Sequence, residues 1–194
     1  MPHLSLFDPI ILHFVSSSEL VEKVVTSKII RNSGVSLRIR PLSSSDYGYV
    51  VLLKQLTTVG DISKAKFDER FSQMISCPGT YFIIVLEDER TGRLIGAATL
   101  LVELKFIHTC SKRGHIEDVV VDSEFRGMNL GKLLVDTLVR IGKHIGCYKI
   151  SLDCNDQNIG FYEKWAFIVK IILCLCDSMR IEVAILLKEK FCLN

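Results

Sequence analysis

The feature that most constrains the fold is a continuous stretch, residues 116–154, in which strand, turn, helix and strand patterns follow one another. An apolar run over 116–122 leads into the glycine-bearing turn Arg126–Gly127–Met128–Asn129. Residues 148–154 form a second apolar run. Between the turn and this run, a helix is predicted over 130–145, because apolar residues recur on one face: Leu130, Leu133, Leu134, Leu138, Ile141 and Ile145. This order predicts a long helix that packs against a sheet containing both strands.

Apolar patterns predict further strands on both sides of this unit. Residues 81–87 and 94–104 are joined by Arg90–Thr91–Gly92, an arrangement typical of an antiparallel hairpin. The basic segment 105–114 is predicted to be a loop. The remaining strands are predicted over 35–40, 167–176 and 181–187. Together these elements favour an α/β (α+β) fold with a mixed sheet.

Two helices are predicted between the first strands, and a third precedes them. Ser43–Asp46 offers N-caps for a helix that reaches about Gln55, and Ser63 opens another that carries Phe67 and Phe71. A short helix is also predicted over 157–165, and a helical pattern covers 19–30. We interpret residues 1–34 as an N-terminal extension and residues 35–194 as one domain.

Composition disfavours several classes of protein. The 194 residues are 48% hydrophobic and 24% charged, which is enough for one globular core. The net charge of +2, without a basic cluster, predicts no nucleic-acid binding. No apolar run approaches the length of about eighteen residues that a transmembrane helix needs, and no signal peptide is expected. The seven cysteines lack C-x-x-C spacing, which favours a reduced, cytoplasmic protein, and the five histidines lack metal-ligand spacing, so no metal is predicted.

The turn before the long helix is a candidate phosphate-binding site. A tight turn at the start of a helix presents backbone N–H groups at the positive end of the helix dipole. Gly127 and Gly131 allow close approach to the backbone, and Arg126 and Lys132 add positive charge. Neither G-x-G-x-x-G nor the P-loop motif is matched, which disfavours dinucleotide-binding and P-loop proteins. From these residues alone, an ordinary strand-to-helix connection stays the alternative.

Several blocks of sequence together resemble one enzyme family. Arg126-x-x-Asn129-x-Gly131 is similar to the coenzyme A turn of the GCN5-related N-acetyltransferases (GNAT), with Asn129 in place of the usual middle glycine. Over residues 36–167 the chain resembles the glucosamine-6-phosphate N-acetyltransferases of that superfamily. The blocks that carry this resemblance are Phe106–His108, Lys112–Val121, Leu130–Leu133, Cys147–Ile150 and Asn158–Lys164.

The resemblance implies a GNAT fold, in which a mostly antiparallel sheet is flanked by helices and a splayed strand pair forms the acetyl-CoA cleft. It implies acetyl transfer from acetyl-CoA to D-glucosamine 6-phosphate on the route to UDP-N-acetylglucosamine, by a homodimer in the cytoplasm. Peripheral attachment to endomembranes stays open. Two other functions stay open as well: a GNAT that acts on another small amine or a protein, and a weakly active regulatory form.

The resemblance also implies roles for individual residues. Tyr162 would give a proton to the departing thiolate, the Asp153 main-chain carbonyl would orient the amine, and Glu117 would relay the proton of the amine. Acetyl-CoA would contact Val119, Val120, Val121, Arg126, Gly127, Met128, Asn129, Leu130, Gly131, Lys132, Asp153 and Tyr162. The sugar phosphate would contact Thr57, Lys105, Phe106, Ile107, His108, Glu117, Asp118, Val119, Tyr148, Lys149 and Arg180.

The tail over 168–194 departs from the family pattern. Trp165–Ala166–Phe167 replaces the glycine turn of the family, and Asp177 stands where spacing would place the phosphate-binding arginine. Arg180 is the nearest candidate for that role. The tail has enough aliphatic residues for two strands. If these strands complete the sheet, they should bury Ile171, Leu173 and Leu175, or the residues that alternate with them, against the long helix. The alternative is a tail that has diverged past function, which would be mobile, apolar and prone to aggregation.

Overall fold

The computed structural model describes residues 4–15, 35–154, 158, 160, 162, 167–172 and 182–187, the last two ranges through their backbone. The helices predicted over 19–30 and 157–165 lie outside the described residues or only partly within them. The described α-helices of six or more residues are α1 (Ile10–Val15), α2 (Gly48–Leu53), α3 (Lys64–Ile75) and α4 (Leu130–His144). Ile107–Cys110 and Ser123–Phe125 form single helical turns. The strands are β1 (Leu37–Pro41), β2 (Tyr81–Asp88), β3 (Arg93–Leu104), β4 (Lys112–Val121), β5 (Cys147–Cys154), β6 (Phe167–Ile172) and β7 (Glu182–Leu187).

The strands form one sheet in the order β1-β2-β3-β4-β5-β7-β6. Only the β4–β5 pair is parallel among the strand pairs described, which confirms the mixed, mostly antiparallel sheet. The tail joins the sheet through its backbone, because β7 lies antiparallel to β5 with Ile185 opposite Leu152. β6 covers the first six residues of the strand predicted over 167–176, and residues 173–176, with Leu173 and Leu175, lie outside the described residues.

Helix α4 forms the main core against one face of the sheet, and its predicted position is confirmed. The side chains of Leu133, Leu134, Leu138 and Ile141 are 0% exposed. Burying each of them contributes about 1.5–3 kcal/mol relative to leaving it in water. The helix approaches the sheet closely at Gly142, where a Cβ atom would lie 2.5 Å from Ile150 Cδ1. A larger residue there would push the helix or Ile150 out of position.

Part of the predicted N-terminal extension packs into this same core. Leu12 and Val15 of α1 are buried, and the Phe14 ring lies 5.2 Å from that of His144 at the end of α4. The Phe7 ring is 5.1 Å from Phe82 in β2. Residues 4–15 therefore dock on the domain, and the domain boundary at residue 34 stays a prediction.

Helices α2 and α3 cover the opposite face over the first strands. Tyr49, Phe67 and Phe71 are buried there. The predicted N-cap of α3 is confirmed, since the Ser63 hydroxyl accepts a hydrogen bond from the Lys66 amide at 3.3 Å. Residue Tyr47, which makes no side-chain cap, precedes α2.

The N-caps predicted for α2 within Ser43–Asp46 were wrong. The Asp46 carboxylate instead accepts hydrogen bonds from Arg40 at 2.6 and 2.9 Å and from the Ser43 amide at 2.7 Å. This buried ion pair joins the α2 entrance to β1, and α2 ends at Leu53, before the predicted Gln55. Local propensity favoured an N-cap here and did not identify Arg40 as the partner of the Asp46 carboxylate.

The loop predicted over 105–114 was also too long. Strand β4 begins at Lys112, which lies opposite Leu104 of β3. The hairpin closes in a short turn because His108, Thr109 and Cys110 all adopt left-handed backbone angles, with φ of 52°, 57° and 55°. The basic residues of this segment can extend the strand because the Lys112 ammonium reaches the Ile145 carbonyl at 3.0 Å.

Candidate active site

Strands β4 and β5 separate part-way along their length and so open a cleft. Their parallel pairing runs from Lys112–Cys147 to Ile116–Leu152, whereas β4 continues to Val121. Beyond Ile116, the edge of β4 that faces β5 has no strand partner among the described residues. Main-chain groups on this edge of Val119–Val121 are therefore open to a ligand, except the Val121 carbonyl, which accepts a hydrogen bond from Arg126 Nε at 3.3 Å. The predicted splayed strand pair is confirmed.

A β-bulge in β4 places two carboxylates on the same side of the sheet. The β3–β4 register shifts between Ala97 and Thr99, and Asp118, opposite the shift, has a left-handed φ of 51°. A bulge inserts one extra residue, so neighbouring side chains no longer alternate between faces. As a result, Glu117 and Asp118 both line one cavity, while Val119 packs toward the α4 core.

This cavity has a volume of about 690 Å³ and lies between α2, α3 and the sheet. Most of its wall is apolar, and Tyr49 and Thr99 add hydroxyl groups near the two carboxylates. Loss of solvation raises the pKa of Asp118, and burial together with the charge of Asp118 raises the pKa of Tyr49. The raised pKa of Asp118 makes this carboxylate a better proton acceptor than one in water.

The turn between β4 and α4 has the geometry of a phosphate cradle. Gly127 has a φ of 81° and Asn129 has a φ of 59°, and α4 begins directly afterwards at Leu130. Asparagine is among the non-glycine residues that tolerate this left-handed region best, which accounts for its presence where the family usually has glycine. The Asn129 side chain makes no capping hydrogen bond, so the first turn of α4 directs its amides outward. These residues fit a pyrophosphate group.

An ion-pair network connects this turn to β3. The Arg93 guanidinium contacts Asp122 and Glu124, each at 2.6 Å. The Ser123 amide donates a hydrogen bond to Gln55 Oε1 at 2.8 Å, which connects the turn to the end of α2. Burial alone would raise the pKa of Asp122, but hydrogen bonds from the Glu124 amide and from Arg93 hold it below its ordinary value.

Replacing Arg93 by methionine is expected to lower the free energy of unfolding by about 1–3 kcal/mol at pH 7, because the Asp122 carboxylate is 5% exposed and loses its partner. A carboxylate with a lowered pKa stabilises the fold above its unfolded pKa of about 3.9, and this contribution is lost as the pH falls through the folded value. Urea unfolding of both proteins between pH 7 and pH 3 measures the difference, which should shrink on acidification.

The control is Arg90→Met. Arg90 lies in the same hairpin, but its guanidinium is 3.8 Å from Asp88, which is longer than a hydrogen bond, and its side chain is 66% exposed. Its loss should cost less than about 1 kcal/mol. An Arg93→Met protein as stable as the Arg90→Met protein would mean that the network does not brace the turn.

The structure also describes two further predicted catalytic residues, Tyr162 and Asp153. Tyr162 is 9% exposed and packs with the α4 core, and burial raises its pKa to about 12. Its phenol therefore stays protonated at neutral pH and is able to donate a proton or a hydrogen bond. Asp153 follows the last residue of β5 that pairs with β4, so its main chain lies where the strands part.

The basic residues predicted for the phosphate lie at the other end of β4. The Lys105 ammonium pairs with Glu103 at 2.6 Å, and the His108 ring lies 4.2 Å from that of Tyr148. Lys149 follows Tyr148 in β5. Along β4, Glu117 is five residues beyond Lys112, which is about 16 Å of strand at a rise of about 3.3 Å per residue. Lys149 lies opposite Arg113, four residues before Glu117, and Glu103 contacts both Lys105 and Arg113.

The other residues predicted to contact the sugar phosphate lie in separate parts of the structure. Phe106 and Ile107 lie in the basic turn and are exposed, Phe106 by 95%. Thr57 is exposed and comes two residues after Gln55, near the turn before α4. Arg180 lies outside the described residues.

A polar cluster that the sequence analysis missed lies beside the carboxylates. His115 Nδ1 is 2.9 Å from Ser151 Oγ, and His115 Nε2 is 3.3 Å from Asp153 Oδ2 and 3.7 Å from Glu117 Oε1. The signal was the period of two along a strand. His115 and Glu117 are two residues apart in β4 and share one face, and Ser151 and Asp153 do the same in β5. Within the described ranges, no group of three or more His, Cys, Asp or Glu side chains is arranged to hold a metal ion.

The comparisons with known proteins agree with this geometry. Residues 49–167 match the acetyltransferase (GNAT) family, and the chain belongs to that family. No helix in the part of the chain described here has the length and apolar character needed to cross a membrane.

Within the family, the similar proteins have related names. The chain is 48% identical over 134 residues to a Drosophila melanogaster protein named probable glucosamine 6-phosphate N-acetyltransferase, an alignment covering 68% of this chain and 61% of that protein. It is 44% identical over 136 residues to glucosamine 6-phosphate N-acetyltransferase 1 of Dictyostelium discoideum, covering 70% and 86%. The chain thus spans less than two thirds of the Drosophila relative.

A solved structure supports the same placement. The crystal structure of glucosamine-6-phosphate N-acetyltransferase from Arabidopsis thaliana superposes with a TM-score of 0.69 at 42% identity. The superposition covers 73% of this chain and 97% of that one. The GNAT fold expected from the sequence is therefore confirmed.

Proposed function

We propose that this chain transfers the acetyl group of acetyl-CoA to the amine of D-glucosamine 6-phosphate, giving N-acetylglucosamine 6-phosphate and CoA. The observation that carries the proposal is the pair of adjacent carboxylates, Glu117 and Asp118, at the point where β4 leaves β5. The names of the similar proteins supply the identity of the acceptor. The product would enter UDP-N-acetylglucosamine synthesis in the cytoplasm.

The donor substrate would bind along the cleft. Backbone amides of the turn Arg126–Asn129 and of the first turn of α4 would hold the pyrophosphate. The unpaired edge of β4 at Val119–Val121 would direct N–H groups at the acetyl carbonyl, where negative charge develops in the transition state. Arg126 is exposed beside the turn and would add positive charge.

The acceptor amine must lose a proton before it attacks. In our proposal, an N–H bond of the ammonium breaks and an O–H bond forms on Glu117, which is 48% exposed and so returns the proton to solvent. The nitrogen lone pair then forms the C–N bond, and the C–S bond breaks. The departing thiolate takes the proton of Tyr162, and the second proton lost by the nitrogen restores the phenol.

The phosphate group and the dimer belong to the same proposal. Lys105, His108 and Lys149 would supply positive or hydrogen-bonding groups to the phosphate from the end of the sheet where β4 begins, and a second copy of the chain would complete the site in a homodimer. Leu104 and Phe106, exposed by 80% and 95%, give the same turn an apolar surface for such contact. Arg180 stays a prediction for phosphate binding.

Thermal unfolding with each substrate tests the proposed function against a binding module. Acetyl-CoA alone should raise the Tm, and glucosamine 6-phosphate should raise it as well when CoA is present. Stabilisation by acetyl-CoA but not by the sugar phosphate would favour a protein that binds the donor without acetylating this sugar. Spermidine serves as the control amine, because it tests the alternative of another small-molecule acceptor.

Gly127→Val is expected to raise the Kd for acetyl-CoA by about tenfold, since a left-handed residue with a side chain costs about 1–2 kcal/mol. The fold should survive, because a Cβ at Gly127 meets no atom within 4 Å. Titration calorimetry measures the affinity. Asn129→Gly is the matched control and should bind normally, because glycine adopts the same backbone angles; unchanged affinity in Gly127→Val would remove the turn from the site.

A further inference from the structure

His115 lies beside the carboxylates of Glu117 and Asp153, and the proposed reaction assigns it no part. Its Nε2 atom is 3.3 Å from Asp153 Oδ2 and 3.7 Å from Glu117 Oε1. On the other side of the ring, Nδ1 is 2.9 Å from the hydroxyl of Ser151, a residue that is 1% exposed. A buried group thus fixes the ring with its Nε2 atom facing the two carboxylates.

The groups around His115 favour one arrangement of protons. Arg113 of β4 donates a hydrogen bond to Ser151 Oγ at 3.2 Å. With a proton on Nε2, the ring donates toward the acceptors Asp153 of β5 and Glu117 of β4, and Nδ1 accepts from the Ser151 hydroxyl. From β3, Glu103 faces the same cluster and pairs with Lys105 and Arg113. Two carboxylates near Nε2 favour the same tautomer.

We propose that His115 is a positioning residue for acetyl transfer, whose Nε2–H group holds the Glu117 carboxylate at the cavity between α2, α3 and the sheet. The inference rests on the proposed function, in which Glu117 takes the ammonium proton, and His115 itself gains and loses no proton. The present separation of 3.7 Å is longer than a hydrogen bond. Such contacts commonly tighten when the substrate binds. Asp153 is the second acceptor that keeps the N–H group directed to this side.

Steady-state kinetics of the full chain with acetyl-CoA and glucosamine 6-phosphate test this role. His115→Ala should lower kcat roughly tenfold, the loss expected for one hydrogen bond to a charged group, with the KM for acetyl-CoA unchanged. His115→Gln places an amide N–H near the position of Nε2 and should recover most of the rate. His115→Asn reaches Ser151 but not the carboxylates and should be as slow as the alanine protein. His13→Ala, at an exposed histidine outside the site, should match the wild type.

A double substitution separates this inference from the proposed function. If His115 acts through Glu117, His115→Ala should cause no further loss in a Glu117→Gln background. Fully additive losses, equal rates for the glutamine and asparagine proteins, or an alanine protein as fast as the wild type would each overturn the inference. A wild-type chain that does not acetylate the sugar phosphate would instead overturn the proposed function. Because glutamine and asparagine are both polar, comparing their rates remains decisive if the alanine protein does not fold.

Discussion

Glu117→Gln is expected to lower kcat for acetylation of glucosamine 6-phosphate by about a hundredfold or more, the range in which a positioned general base contributes. The amide keeps the size of the side chain but cannot accept the ammonium proton. The carboxylate lines the cavity, and the bulge that follows it brings Asp118 to the same side. In the proposed function acetyl-CoA would bind along the Val119–Val121 edge of β4, so its affinity should hardly change. Steady-state kinetics and titration calorimetry on the same preparation measure both quantities.

The matched control is Glu89→Gln, at an exposed glutamate in the β2–β3 turn that contacts Ser36. It should leave kcat unchanged. A Glu117→Gln protein with the wild-type rate would show that another group, of which Asp118 is the first candidate, accepts the proton. Asp118→Asn examined beside it would then identify that group.

Tyr162→Phe should slow acetyl transfer by roughly ten- to a hundredfold, while acetyl-CoA affinity stays nearly unchanged. The hydroxyl is needed when the thiolate departs, and a lost hydrogen bond to a charged group is worth about 1.5–3 kcal/mol. Burial raises the pKa of Tyr162 to about 12, so the proton is present throughout the neutral range. Rapid-quench measurement of a single turnover isolates this step from product release. A single-turnover rate equal to that of the wild type would mean that the thiolate takes its proton elsewhere.

The parts of the fold that depend on local periodicity could be predicted from the sequence. Helix α4 repeats leucine and isoleucine on one face, and the turn before it combines Gly127 with Asn129. The hairpin of β2 and β3 had turn residues between two apolar runs. These signals lie within about fifteen residues of one another, where pattern and structure agree most closely.

The features that the sequence did not predict depend on partners distant along the chain. No glycine in the sequence indicates a bulge at Asp118, although its backbone is left-handed. The bulge depends on the register of β4 against β3. Because the loop was predicted to reach residue 114 and β4 to begin at residue 116, Arg113 was placed in a loop and His115 outside the strand, and their shared face with Glu117 was missed. Asp46 has the sequence pattern of an N-cap. Its pairing with Arg40 could not be predicted from that pattern, since it depends on how β1 lies against the start of α2.

The most direct test of the central claim is acetyl transfer by the purified full chain, with glucosamine 6-phosphate and glucosamine compared at equal concentration. Mass spectrometry of the sugar detects the new acetyl group, and thiol release measures the rate. The account predicts N-acetylglucosamine 6-phosphate as the product, with kcat/KM for the phosphorylated sugar higher by about tenfold or more, as expected for charged contacts to the phosphate. Binding of acetyl-CoA without any acetylated sugar phosphate would contradict it.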